Sequence, residues 1–355
     1  MILWYNGSEV KTMDVLERLS QYNADELYYQ AYYNCTDEEQ RLALIERIGR
    51  DEIICRGLLT PEVNDNFLTP FDMGECIFVS KGKQHIWLSK HNRYTPEFLH
   101  SHTYFELIYV LSGSCSHTIS GETVRMEQGC FCIVAPKVYH SIGVFDDSVV
   151  LNILVRKSTL EEYYPSLLKG ENIVSEFFMN GIFAKEHTPF LMFHIGDENT
   201  LHDLILEMYR EQLENESYSE EIISSMMQVF LYRLVRYGNM YAVQSESVHS
   251  SDATKIYRYF LTEYRTASLT ELARQLGFTP TYCSVYVKKA TGQNFSQLHK
   301  RFRFRKAKEL LKNTSLSIAS IGEAVGYSDS ENFIIAFQNE YGISPSVYRK
   351  SNNDI

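Results

Sequence analysis

The sequence predicts a multidomain chain of mixed α and β structure: a helical N-terminal extension, a small β-barrel, a helical segment, and an all-α domain with two helix-turn-helix units. Three observations predict it. A stretch of sequence repeats itself near the C-terminus, short β-rich segments separated by Gly, Ser, Asn and Pro fill residues 74–156, and positive charge gathers at one end of an acidic chain.

At 355 residues with 44% apolar composition the chain can bury more than one core. No stretch approaches the ~18 consecutive apolar residues of a membrane span, and residues 1–10 lack the order of a signal peptide, so a cytoplasmic protein without a membrane partner is expected. The seven cysteines (Cys35, Cys55, Cys76, Cys115, Cys130, Cys132, Cys283) are odd in number and show no CxxC pair, so they read as free thiols. The net charge of −11 is unevenly placed: Asp252 to Ile355 holds 15 Lys and Arg against 9 Asp and Glu, a balance of +6, leaving −17 on the other 251 residues. A basic module on an acidic one suits attraction to nucleic-acid phosphates while discouraging indiscriminate binding.

The repeat is the most informative feature. Ser268-Leu-Thr-Glu-Leu-Ala-Arg-Gln-Leu-Gly-Phe-Thr279 aligns without gaps, 49 residues on, with Ser317-Ile-Ala-Ser-Ile-Gly-Glu-Ala-Val-Gly-Tyr-Ser328. Each copy reads as a short helix with a polar cap (Ser268, Ser317), an apolar face, a small residue for close approach (Ala273, Gly322) and a glycine stop (Gly277, Gly326). Second helices follow at Pro280–Thr291 and Asp329–Tyr341. Their outward faces carry Thr281, Ser284, Val285 and Lys288 in the first unit, and Ser330, Glu331, Ile334, Ile335 and Gln338 in the second. Between the units a helix over 296–313 carries Lys300, Arg301, Arg303, Arg305, Lys306 and Lys308, of which Arg301, Arg303 and Arg305 are expected on phosphates.

The run Arg303-Phe-Arg-Lys-Ala-Lys-Glu-Leu-Leu311, the second repeat, Phe333-x-x-x-Phe337 and Tyr341-Gly-Ile-Ser-Pro-Ser-Val-Tyr-Arg349 resemble the AraC/XylS family of bacterial regulators over roughly 255–350. The resemblance implies two recognition helices in successive major-groove turns on one face of double-stranded DNA. Departing from the family, neither helix offers an arginine fork for guanine; Val285, Ile334 and Ile335 could meet thymine methyls, or pack on another protein surface. A largely A·T-rich site is expected.

In the β-rich region, His100-Ser-His102-Thr-Tyr-Phe-Glu106 with Gly113, followed by Gly129…Pro136-Lys-Val-Tyr-His140, resembles the two cupin motifs. Alternation puts His100 and His102 on one side of a strand, and a hairpin could bring His140 to meet them and Glu106. Two contents of this cupin-like barrel stay open. The four residues line a pocket for an organic effector, or they hold a divalent metal such as Zn, Ni, Fe or Mn; the family requires no cofactor.

The expected division is therefore a helical extension over 1–73, a cupin-like barrel over 74–158, helices for dimerisation over 159–237, a linker over 238–254 and the DNA-binding domain over 255–350. Within these, a capping box opens a helix at Thr36 with Glu39, followed by Leu42, Ile45, Ile48 and Ile53. Helices are expected over 160–168, 200–215 and 219–237, the last with Ile222, Ser225, Met226, Val229, Leu231 and Leu234 on one face. The expected function is an effector-responsive transcriptional regulator, not an enzyme, acting as a homodimer and meeting RNA polymerase if it activates. The rival is a metal-dependent cupin enzyme fused to a DNA-binding domain.

Overall fold

The computed structural model describes residues 14–64, 71–74, 84–184, 188–194, 199–243 and 252–353. A strand expected at 76–79, Cys76 with it, lies outside these residues, as do 244–251 of the expected linker. Two compact units are present: Met1–Tyr163 with Asn172–Phe177 and His187–Val248, and Tyr164–Glu171 with Phe178–Glu186 and His249–Ile355.

The first unit begins with helices α1 (Val15–Ser20), α2 (Ala24–Tyr33), α3 (Glu38–Ile48) and α4 (Arg50–Arg56). Asn23 and Glu26 form a reciprocal capping box on α2. The cap of α3 is Asp37, whose side chain accepts from Gln40 N–H, and not Thr36. Asp37 is the stronger cap, and the reciprocal bond runs instead from the Thr36 N–H to Gln40 Oε1 at 3.0 Å. A small core of Tyr28, Tyr29, Tyr32, Leu44, Ile45, Ile53 and Leu58 closes this layer.

Two sheets follow. Strands β1 (Phe71–Asp72), β3 (His100–Ser101), β8 (His140–Gly143), β5 (Ser114–Ile119) and β6 (Glu122–Glu127) form one in that order, and β11 (Ala242–Val243), β10 (Phe190–His194), β7 (Cys130–Val134), β4 (Phe105–Ser112), β9 (Val149–Val155) and β2 (Ile86–Lys90) the other. The central strand β4 is buried from Phe105 to Leu111, so both its faces are covered. One face looks towards Glu106's neighbours in the barrel; on the other, Phe105 meets Phe177 of α7 (Ile173–Phe183), with ring centroids 6.2 Å apart. Strand β10 falls where only helices are expected. Its five residues Phe-Leu-Met-Phe-His are too short for periodicity to separate strand from helix, and pairing with all five residues of β7 decides the matter.

Short helices α5 (Lys157–Tyr163) and α6 (Pro165–Leu168) precede α7, and α8 (Asn199–Glu214) and α9 (Ser219–Tyr241) pack together after β10. The Gln212 amide accepts from Leu88 N–H at 2.7 Å and donates to Leu88 O at 2.6 Å, closing the free edge of β2. The face α9 buries is Ile223, Met227, Phe230, Leu231 and Leu234, so of the set expected together only Leu231 and Leu234 turn inward. A helix with apolar residues on two sides leaves periodicity ambiguous.

The second unit is all helix in its main part: α10 (Asp252–Glu263), α11 (Leu269–Leu276), α12 (Pro280–Thr291), α13 (Phe295–Asn313), α14 (Ile318–Ala324), α15 (Ser330–Tyr341) and α16 (Pro345–Asn353). Helix α10 occupies the end of the expected linker and buries Ile256, Tyr257, Phe260 and Leu261. Ser268 and Ser317 cap α11 and α14 as the repeat predicts. A Cβ on Gly322 would come within 3.2 Å of Phe333, and one on Gly326 (φ +91°) within 2.5 Å of the Arg265 carbonyl, so both small positions are steric requirements. Around them Phe304, Ala307, Leu311, Ile321, Val325, Phe333 and Phe337 form the core of the second helix-turn-helix.

Candidate functional site

Register builds the barrel centre. His100 and His140 are direct partners across β3 and β8, and β8 pairs on its other side with β5, where Ile119 faces His140 and His117 faces Ile142. Lys137, in the left-handed region at φ 65°, donates its N–H to the His102 carbonyl at 2.7 Å, which pins the turn that returns the chain to His140.

The four expected residues converge. His140 Nε2 lies 3.1 Å from His102 Nε2, and Glu106 Oε2 lies 3.2 Å from His102 Nε2 and 3.3 Å from His140 Nε2. His100 joins them with its ring centroid 4.3 Å from that of His140, and the ligand atoms of His100, Glu106 and His140 lie within 4.8 Å of one another. His102 is oriented by a hydrogen bond from Nδ1 to the Tyr104 carbonyl at 2.7 Å and by stacking on the Tyr104 ring. A neutral His102 therefore turns a bare Nε2 lone pair towards the centre.

Sequence reasoning missed two further imidazoles. His117, on the inward side of β5 with Cys115 and Ile119, is fully buried and places Nε2 3.1 Å from His140 Nδ1. His91 approaches closely enough to feel the charge of Glu106. The signal for His117 was the alternation Cys115, His117, Ile119, which puts a histidine on an apolar face.

Burial pushes the rings of His117 and His91 down to about 3 and about 4, and those of His100 and His140 down as well. Burial works in the opposite sense on Glu106, but the hydrogen-bonding reach and charge of His102 and His140 outweigh it and hold the carboxyl below its usual range. Despite those short distances, Glu106 Oε2 has no partner of good hydrogen-bond geometry among the described residues. A buried carboxylate oxygen beside two imidazole nitrogens, hydrogen-bonded to neither, is an environment that suits a cation. Three donor atoms 3.1–3.3 Å apart match the ~3.3 Å edge of a tetrahedron with bonds of about 2.0–2.1 Å, and the N₂O donor set suits zinc and its neighbours. The residues thus fit a divalent metal.

In the second unit, Thr281, Ser284, Val285 and Lys288 are exposed along α12, and Glu331, Ile335 and Gln338 along α15. Val285 is 66% and Ile335 57% exposed, so packing within the domain does not account for either. Ser330 is half-buried, and Ile334 leans on the domain core. Arg303 differs from expectation: its guanidinium turns inward to the carbonyls of Tyr264 (3.4 Å) and Arg265 (3.0 Å) and lies over Tyr327. These carbonyls follow the last residue of α10; Arg303 supplies a donor to each, and His299 Nε2 a second one to Tyr264 at 2.9 Å. Arg301 lies over Phe183, Arg305 over Phe302, and Lys300 pairs with Glu340 at 2.6 Å.

A sensory barrel and a paired helix-turn-helix domain define a ligand-binding transcriptional regulator. Residues 89–230 match the family model described as AraC-like ligand binding domain, and residues 272–351 the one described as helix-turn-helix domain. The chain belongs to the AraC family of transcriptional regulators. It is similar to the uncharacterised HTH-type transcriptional regulator YtdP of Bacillus subtilis (strain 168), 29% identical over 175 residues, 49% of this chain but 21% of YtdP, so it spans about a fifth of that relative's length. With the HTH-type transcriptional activator RhaR of Escherichia coli O6:H1 it shares 23% over 259 residues, 72% of this chain and 87% of RhaR. The C-terminal domain of AraT from Geobacillus stearothermophilus is 33% identical, with a TM-score of 0.27, over 29% of this chain and 86% of that structure. These relatives and domains are those of DNA-binding regulators, and the enzyme alternative has no support among them. No helix of the described residues is long and apolar enough to cross a membrane.

Proposed function

We propose that this regulator senses a divalent transition metal at His100, His102, Glu106 and His140, and that the metal changes how the protein engages DNA. The observation that carries the reading is Glu106 Oε2, buried between two imidazole nitrogens and hydrogen-bonded to neither. When bound, the ion would supply positive charge there; the protein's part is to hold three imidazoles and a carboxylate at its edge and exclude water. An ion that binds one arrangement of the barrel more tightly shifts the population towards it, and only that differential affinity can be transmitted.

Thr281, Ser284, Val285 and Lys288 on one helix, and Ser330, Glu331, Ile334, Ile335 and Gln338 on the other, form the DNA-reading faces. Arg301 and Arg305 add phosphate attraction. Two copies pair through the outward stripe of α9, where Ile222, Val229 and Tyr232 are 37, 45 and 41% exposed. Similarity to an activator, RhaR, favours activation through contact with RNA polymerase.

The test is operator binding by the chelated full-length protein with and without Zn, Ni, Fe(II) or Mn, in the wild type and in Glu106→Gln. A metal-dependent change in affinity that the variant lacks supports the reading. Identical binding under all conditions refutes it and returns the centre to an organic effector.

A further inference from the structure

The ring of His140 can serve a metal only if its proton sits on the far nitrogen, and the residue that meets that nitrogen is His117, which lies outside both histidine motifs. We propose that His117 is a positioning residue for the barrel metal, setting the tautomer and orientation of His140. The inference rests on the metal reading above.

The contacts of His102, His140 and His117 fix where the ring protons sit when these rings bond to one another. A neutral His102 gives its one proton, on Nδ1, to the Tyr104 carbonyl, so its Nε2 can only accept. The 3.1 Å contact between His140 Nε2 and His102 Nε2 therefore needs the proton on His140 Nε2. That leaves His140 Nδ1 as an acceptor, and the 3.1 Å contact with His117 Nε2 needs the proton on His117 Nε2. His117 Nδ1 is then bare, and it is a buried nitrogen with no partner among the described residues.

Metal ligation by His140 Nε2 requires the opposite pattern. The ring proton of His140 moves to Nδ1 and donates to His117 Nε2; His117 must then carry its own proton on Nδ1. Each ring holds one proton before and after, so no charge is created in the barrel. A side chain that could only donate would block this change, and an apolar one would leave the Nδ1 proton of His140 buried without an acceptor. Because His117 can present either a donor or an acceptor at the same atom, it permits both states; in the metal-bound one its own proton sits on Nδ1, so the N–H without a partner among the described residues is one ring further from the ion. Ligands held by such an outer partner typically lose about 10–100-fold in metal affinity when the partner is removed.

Co(II) titration of the chelated full-length protein, read by ligand-field absorption, tests this. The wild type should bind one ion per chain. His117→Leu should bind at least tenfold more weakly with an altered spectrum, and His117→Gln, whose amide can also accept, should recover most of both. No Co(II) binding by the wild type defeats the metal reading itself; equal affinity and an unchanged spectrum in His117→Leu defeat only the role of His117. Should the leucine variant fail to fold, imidazole nitrogen NMR of the wild type with and without Zn(II) decides. Protons on Nε2 of both His117 and His140 without the ion, and on Nδ1 of both with it, support the inference. One unchanged tautomer of His117 overturns it.

Discussion

Arg93 closes on Glu26 with Nε 2.8 Å from Oε1, both side chains almost wholly buried, and this pair ties the helical extension to the loop after β2. Lys90 Nζ adds a second contact at 2.7 Å, the Arg93 guanidinium reaches the carbonyls of Ser20 and Gln21, and its carbon stands 3.6 Å from the centroid of the Tyr22 ring. The carboxylate is surrounded by donors, so neither charge is left uncompensated.

Glu26→Gln should destabilise the first unit by about 3–5 kcal/mol, because it leaves Arg93 buried without its partner charge. Urea unfolding followed by tryptophan fluorescence reports on this unit through Trp87 of β2, and the sequence has no tryptophan after it. Burial pushes Glu26 up, but hydrogen bonds from Arg93 and Lys90 together outweigh it and lower its value in the folded state. Its contribution is therefore present in full above the unfolded value of about 4.3 and is lost as pH falls through the lower folded value. The gap between wild type and variant should close in acid; a gap independent of pH would show that the charge is not what matters.

Metal should stabilise the first unit by about 2.7 kcal/mol when the free ion is at a hundred times its dissociation constant, and so raise its unfolding midpoint. Glu106→Gln should abolish the rise. Thermal scans with and without chelator check this.

Lys288→Ala and Arg303→Ala should separate two uses of positive charge. The first should weaken binding to all DNA sequences and reduce the salt slope by about one. The second should leave the slope unchanged and destabilise the second unit by about 1–2 kcal/mol, since the Arg265 carbonyl loses its donor while that of Tyr264 keeps His299. A reduced slope for Arg303→Ala would place it on phosphate after all.

Ile335→Ala should weaken binding where thymines are enriched, at a cost of about 1–3 kcal/mol comparable to a mismatched base pair. Selection from a random DNA pool measures it. Invariant G·C pairs lost on Ser284→Ala would contradict an A·T-rich site.

Val229→Asp should leave the first unit folded while shifting sedimentation to the monomer, because the side chain points away from that unit's core. An unchanged oligomer would remove α9 from the interface.

The sequence by itself determined the paired helix-turn-helix. Its signals are local: caps at Ser268 and Ser317, stops at Gly277 and Gly326, a small residue where helices cross, and a repeat that confirms each half by the other. His100, His102, Glu106 and His140 were legible for a related reason, since strand alternation and motif spacing both pointed inward. Tertiary structure alone decided the rest. His117 became part of the centre because the register of β5 against β8 sets it beside His140, and register is a property of pairing between distant segments. Strand β10 exists because β7 offered an edge, and α9 buries Phe230 and leaves Val229 outside because one of two apolar faces found a sheet to cover. Arg303 reads as one more positive charge in a run until the carbonyls of Tyr264 and Arg265 are brought to it. In each case the partner lies more than twenty residues away, where periodicity and capping carry no information.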